Sequence, residues 1–182
     1  MKIHKDIFDK KWLDELSHSL IEEPWFASNI ANRKTWPYGL KGTHLLLGQN
    51  YFKRIDIDHI NYGKNLSITN NLIASFSAIE NHLNQKMELQ EIATNLQFHG
   101  MDGTLHKDSD HEDDYTFILT ISNELITEDM GGEFHHQPTE TLVPFKFGNV
   151  IEIKGLDFHR GLAFKKPYIP RMSVKYVGRK NK

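Results

Sequence analysis

Gly100-Met101-Asp102-Gly103-Thr104-Leu105-His106-Lys107-Asp108, followed closely by Tyr115-Thr116-Phe117-Ile118-Leu119-Thr120-Ile121, is the stretch from which the chain is best read. A glycine-bearing turn leads into a His-x-Asp pair, and a run rich in β-branched and aromatic residues comes after it. If residues 105–108 are extended, the two-residue period of a strand aims His106 and Asp108 at the same side of a sheet. The spacing alone carries little weight. With 11 His and 12 Asp among 182 residues, about one such pair arises by chance, and the chain holds three. His4 and Asp6 lie in the first residues, where order is least assured. His111 and Asp113 sit inside the polar run 107–114, whose plain reading is a solvated loop. Context therefore selects His106 and Asp108.

Size and composition narrow the rest. A chain of 182 residues buries one sizeable core, so one domain spanning 1–182 is expected. Six scattered prolines and no Gly/Ser tract mark no linker. A formal charge of −2 offers no broad attraction to nucleic acid or to an anionic membrane. No apolar stretch approaches membrane-spanning length, and Met1-Lys2-Ile3-His4-Lys5-Asp6 lacks the apolar core of a signal peptide. Cysteine is absent, which excludes disulfides and thiolate chemistry and fits a reducing cytoplasm.

Periodicity divides the chain into two textures. Ile7, Trp12, Leu13, Leu16, Leu20 and Ile21 predict a helix over 6–23, and Ile73, Phe76, Ile79 and Leu83 a second over about 68–85, capped by Thr69 or Asn70. Residues 24–48 break the helical pattern. From residue 87 onward short strands are expected at 87–98, 115–122, 132–137, 142–147, 149–153, 158–164 and 171–177, separated by glycine and proline turns. Strands at this spacing argue for a sandwich or barrel. Two helices ahead of them suggest an α+β domain in which the helices cover one sheet face.

Two further segments complete a chemical set: Asp157-Phe158-His159-Arg160-Gly161 and Pro170-Arg171-Met172-Ser173. Two imidazoles and a carboxylate on one face of an octahedral ion leave open positions, the donor set of non-haem Fe(II) sites. Arg171 and Ser173, a cation and a hydroxyl two residues apart, suit the far carboxylate of a bound keto acid. Other candidates have plainer readings. Adjacent His135 and His136 point oppositely on a strand, and loop or rim positions are expected for them. His99 reads as a strand-end residue. Trp25, Asn29, Arg33 and Trp36 suit either a substrate lip or the packing of two Trp on the sheet. Arg160 reaches either substrate or the surface.

This ordered set resembles the 2-oxoglutarate/Fe(II)-dependent dioxygenases, specifically their small prolyl 4-hydroxylase-like branch of bacterial and phage type. The matching elements are His106-x-Asp108, Gly131-Gly132-Glu133-Phe134, Pro144-Phe145-Lys146-Phe147-Gly148-Asn149-Val150, His159-Arg160-Gly161 and Arg171. They cover about 87–178. The resemblance implies a double-stranded β-helix (jelly-roll) catalytic core there, with about 1–86 as helical support and candidate substrate lip. It implies Fe(II) on His106, Asp108 and His159, and the C5 carboxylate of 2-oxoglutarate on Arg171 with Ser173 beside it. O2 is the further cosubstrate and ascorbate a candidate accessory. Asn123 resembles the Asn that ends the strand after the His-x-Asp, which puts Thr120 where a cofactor-contacting side chain often lies. Gln97-Phe98-His99-Gly100 departs from the family's Tyr-x-x-Gly, so Gln97 takes the place of a cofactor-touching Tyr; its amide can still donate to a carboxylate. The implied activity is hydroxylation of a prolyl residue in a peptide or protein, or the same reaction on a free amino acid or another side chain. A non-oxidative, cupin-like metal binder and a structural protein with chance histidines are the readings from other classes.

Overall fold

The computed structural model describes residues 1–26, 46–122 and 126–181. Among them, ten strands and two α-helices run in the order β1 (Lys2–His4), α1 (Lys10–Ile21), β2 (Leu47–Arg54), β3 (Ile60–Tyr62), α2 (Leu66–Leu83), β4 (Met87–Gln97), β5 (Asp114–Thr120), β6 (Phe134–His136), β7 (Thr141–Val143), β8 (Val150–Lys154), β9 (His159–Gly161) and β10 (Arg171–Lys180). The strands build two antiparallel sheets, ordered β1-β8-β5-β10-β4-β2-β3 and β7-β6-β9, consistent with a jelly-roll core. Each of the seven strands expected from residue 87 onward is present. The shortest, β6, β7 and β9, span three residues each.

The first 86 residues depart from the helical reading by adding β1, β2 and β3 to the large sheet. Strand β2 pairs with β4 through a register shift between Asn50 and Phe52, and an extra residue of this kind erases the period of two by which a strand is recognised. The chain start is likewise ordered by a partner distant in sequence: β1 lies on β8, and His4 Nε2 is 2.7 Å from Glu152 Oε2. Helix α2 begins earlier than periodicity indicates. Its cap is Asn65, whose side chain accepts the Ile68 N–H at 3.2 Å, and not Thr69 or Asn70. The helix stops at Asn84, which takes the left-handed conformation (φ 50°) that asparagine tolerates better than most residues.

Two apolar clusters flank the large sheet's middle strands. The larger joins Leu13, Leu16 and Leu20 of α1 and Leu72, Phe76 and Ile79 of α2 to Phe117, Leu119, Val174 and Tyr176. Phe76 stacks on Tyr176 at 6.0 Å, and the hydroxyls of Ser75 and Tyr176 meet at 2.6 Å. The smaller joins Ile118, Ile151 and Ile153 of the large sheet to Phe134 and Val143 of the small one. Phe117 and Ile118 thus serve different clusters, as the alternation of a strand requires. No helix among the described residues is long and apolar enough to cross a membrane.

Asp114 ties the loop after Asp108 to the sheet. Its carboxylate accepts from Ser109 Oγ at 2.6 Å and from Arg179 Nε and Nη2 at 2.7 and 3.1 Å. Burial works to raise the carboxyl's pKa, but the Arg179 and Ser109 hydrogen bonds outweigh it and hold the group below its ordinary value. A lowered folded pKa stabilises the fold above the unfolded value and loses that contribution as pH falls through the folded one. Asp114→Asn is therefore expected to lower unfolding free energy by about 1.5–3 kcal/mol at neutral pH. The parent and variant denaturation curves should converge as pH drops below about 4. A gap that persists unchanged to pH 2 would remove the charge from the explanation.

Candidate functional site

The loop after β4 meets strand β9 of the small sheet through backbone hydrogen bonds, Gly103 N–H to the Gly161 carbonyl at 2.8 Å among them. His106 N–H donates to the His159 carbonyl at 3.0 Å, and His159 N–H to the His106 carbonyl at 2.8 Å. The two rings lie 4.5 Å apart. Asp108 completes the group, with Oδ1 3.6 Å from His106 Nε2 and Oδ2 3.3 Å from His159 Nε2. One ligand atom from each residue lies within 4.8 Å of the others, so the three could hold a metal ion.

Both imidazoles are oriented by a backbone carbonyl at Nδ1. His106 Nδ1 is 2.8 Å from the Thr104 carbonyl and His159 Nδ1 is 2.9 Å from the Asp157 carbonyl. A carbonyl only accepts, so each Nδ1 carries a proton, and in the neutral ring this leaves the Nε2 lone pair for a metal. Metal-binding histidines usually have such an outer partner. Phe134 stacks on His159 at 5.3 Å and fixes the ring plane. Burial works to raise the Asp108 pKa, but Lys175 and then His159 hold it well below the carboxylate range. Burial would lower His106, and the Asp108 carboxylate reverses this and raises it. The donor set thus fits a divalent cation: two oriented imidazoles and one carboxylate kept ionised.

Arg171 enters the same cleft from the start of β10. It is 2% exposed, so its charge is almost fully out of water. Its Nε donates to the Gly132 carbonyl and its Nη1 to Gln97 Oε1, both at 2.9 Å, and its Cζ lies 5.7 Å from the Phe145 ring centre. Nη2 has no hydrogen-bond partner among the described residues. Burial pushes its pKa down to about 10, which leaves it charged at neutral pH. Gly161 makes the arrangement possible, because a Cβ there would stand 2.9 Å from Arg171 Nη1 and 3.1 Å from Gln97 Oε1. Gln97 in turn donates to the carbonyls of Met101 and Gly161 at 2.8 and 3.0 Å. Its amide N–H groups are spent on backbone and its oxygen on Arg171, which makes it a holder of Arg171 in this geometry.

The other sequence-derived candidates fall in varied places. Ser173 lines the cleft with Arg171, His106 and His159. The Thr120 hydroxyl donates to the Lys146 and Asn149 carbonyls. His111 is exposed and Asp113 half-buried; they meet in a turn, the Asp113 N–H donating to His111 Nδ1 at 3.2 Å. His99 Nδ1 faces the Phe164 carbonyl at 3.1 Å. Trp25 packs against the larger cluster. Arg160 of β9 stands opposite His135 of β6. His136 corrects the rim expectation: it is buried, with Nε2 3.0 Å from Asp157 Oδ2 and Nδ1 2.8 Å from Thr139 Oγ1. Asn29, Arg33, Trp36 and Asn123 lie outside the described residues.

Sequence reading overlooked Thr116 and Lys175. Thr116 Oγ1 donates to Asp108 Oδ2 at 2.9 Å, and Lys175 Nζ donates to Oδ1 at 3.1 Å. A signal was present for Lys175, since it stands four residues past Arg171 on one strand and so shares its face.

No family model matches the sequence, and no curated protein matches it either. Solved structures do match. An oxidoreductase of the 2OG-Fe(II) oxygenase family from Burkholderia pseudomallei superposes with a TM-score of 0.68 at 12% identity, over 96% of this chain and 81% of that one. A prolyl-4-hydroxylase from Pseudomonas putida gives 0.62 at 15% identity, over 100% and 92%. HygX from Streptomyces hygroscopicus, solved with nickel and 2-oxoglutarate bound, gives 0.62 at 9% identity, over 98% and 82%. At such identities the likeness is one of fold, and this chain has the fold of the solved 2-oxoglutarate–Fe(II) oxygenases.

Proposed function

We propose that this protein is an Fe(II)- and 2-oxoglutarate-dependent dioxygenase that hydroxylates a C–H bond, with a prolyl residue in a peptide or protein as the preferred substrate. The observation that carries the reading is the pairing of two features in one cleft: the oriented His106, Asp108 and His159 group, and a buried Arg171 whose Nη2 has no hydrogen-bond partner among the described residues. A metal binder without a keto acid has no use for that second feature. In this proposal residues 1–182 form one unit with 87–178 as the catalytic core, and the cysteine-free composition suits cytoplasmic work. Ascorbate is a candidate accessory reductant.

His106 and His159 would hold the iron through Nε2, and Asp108 through its carboxylate. When bound, Fe(II) with 2-oxoglutarate and O2 supplies the oxidising power that places oxygen in an unactivated C–H bond, with succinate and CO2 as co-products. Arg171 holds the far carboxylate of 2-oxoglutarate by charge-assisted hydrogen bonds, and the Ser173 hydroxyl donates beside it. Gln97 and the Gly132 carbonyl keep the guanidinium plane in place before the anion arrives. Phe134 and Ile118, both buried and both lining the cleft, exclude water from it. A small molecule as substrate is the second reading, because HygX was also solved with hygromycin B bound.

Two sets of measurements test this. Asp108→Ala and His159→Ala should stay folded and lose most Fe(II) affinity, while His111→Ala and Asp113→Ala bind as the parent does. Equal loss from the 111/113 pair would move the site. Iron-loaded parent, given 2-oxoglutarate and Pro-containing peptides or free amino acids, should release succinate and add one oxygen to the right substrate by mass. Arg171→Ala should leave iron binding intact and raise the 2-oxoglutarate KM roughly ten- to a hundredfold. Arg171→Lys should recover part of this, because an ammonium lacks the two-point fork. Parent kinetics from Arg171→Ala would remove the cosubstrate role, and no succinate under any condition would favour the non-oxidative metal binder.

A further inference from the structure

A row of charged side chains crosses the large sheet and ends on the metal-site carboxylate. Lys53 of β2 pairs with Glu91 Oε2. Lys175 of β10 lies 2.6 Å from Glu91 Oε1 and 3.1 Å from Asp108 Oδ1. Strands β2, β4 and β10 are sheet neighbours, and Lys53 stands opposite Glu91 in register. The inner members are well shielded: the side chains of Asp108, Glu91 and Lys175 are 1%, 13% and 18% exposed. An exposed ion pair contributes little, whereas one this sheltered holds its geometry.

The two Asp108 oxygens have different partners. Oδ2 takes a neutral hydroxyl, that of Thr116, and Oδ1 takes the Lys175 ammonium. A hydroxyl tolerates a dication on the oxygen it serves; an ammonium repels one. We infer that Lys175, anchored by Glu91, is a positioning residue that withholds Oδ1 from the metal, so that Asp108 binds through Oδ2 alone. This rests on the reading of His106, Asp108 and His159 as ligands. Two imidazoles and one carboxylate oxygen occupy three positions of an octahedral ion and leave three for cosubstrates. With both oxygens on the ion only two would remain. Lys175 therefore exchanges some metal affinity for open positions, and its own charge makes the cleft more receptive to an anionic keto acid.

The test is Mn(II) binding by calorimetry without O2, on the parent, Lys175→Met, Lys175→Gln, Lys175→Arg and Asp108→Ala, each checked for folding by circular dichroism. Loss of a like charge a few ångströms from the ion should make Lys175→Met bind Mn(II) roughly fivefold tighter or more. Its Mn(II)-loaded form should bind 2-oxoglutarate more weakly than the parent. Lys175→Arg keeps a cationic donor and should restore both values. Lys175→Gln keeps a donor without charge and should fall between, and it carries the test if the Met variant does not fold. Unchanged or weaker Mn(II) binding by the neutral variants would reduce Lys175 to a structural ion pair and overturn the inference. Parent-like Mn(II) binding by Asp108→Ala would instead overturn the ligand assignment beneath it.

Discussion

Strand β10 must satisfy two incompatible environments at once, and the rest of the molecule is arranged around that constraint. It runs through the middle of the large sheet, antiparallel to β4 on one side and β5 on the other. Met172, Val174 and Tyr176 belong to the larger apolar cluster, alongside residues of both helices. Arg171, Ser173 and Lys175 line the cleft. A slip of one residue would exchange the two sets. Two cations would then enter an apolar layer, at several kcal/mol each even after relaxation. The register is therefore held from both faces, by Tyr176 against Ser75 and Phe76 and by Arg171 and Lys175 against their cleft partners.

The cleft's two cations have hydrogen-bond partners of different kinds. Arg171 is bonded to a carbonyl and an amide oxygen, both neutral. Neutral acceptors satisfy donors without cancelling charge, and the Glu133 carboxylate acts on the guanidinium only through its field. Lys175 lies between two carboxylates, which fix the position of its ammonium. One cleft thus holds a guanidinium on neutral acceptors and an ammonium between carboxylates. Gly161 matters to the first because the space where its side chain would stand is taken by the Arg171–Gln97 contact.

Much of this could be read along the chain because it is local. From residue 87 on, β-rich runs alternate with glycine and proline turns, and each expected strand formed. Among three His-x-Asp pairs, the one with a turn before it and a strand after it is the one that meets a third ligand candidate in space. Where local order was weak the reading faltered. The bulge in β2 hid a strand, and β1 exists only because β8 lies beside it. Adjacent His135 and His136 are both expected at loop or rim positions, yet His136 is buried against Asp157, 21 residues away.

By itself the sequence determined the elements of the β half, the residue types able to hold a cation, and the shared face of Arg171 and Ser173, since a strand's period of two is a property of the backbone. Only the tertiary structure decided which groups meet. The bridge that sets His106 against His159 spans 53 residues and depends on the small sheet reaching the loop after β4. The contact between Lys175 and Asp108 spans 67 residues and requires β10 to lie between β4 and β5. Such contacts leave no local trace, because each partner's own neighbours are compatible with many other placements. Sheet order selects among them, and sheet order follows from burying two apolar clusters on opposite sides of one sheet.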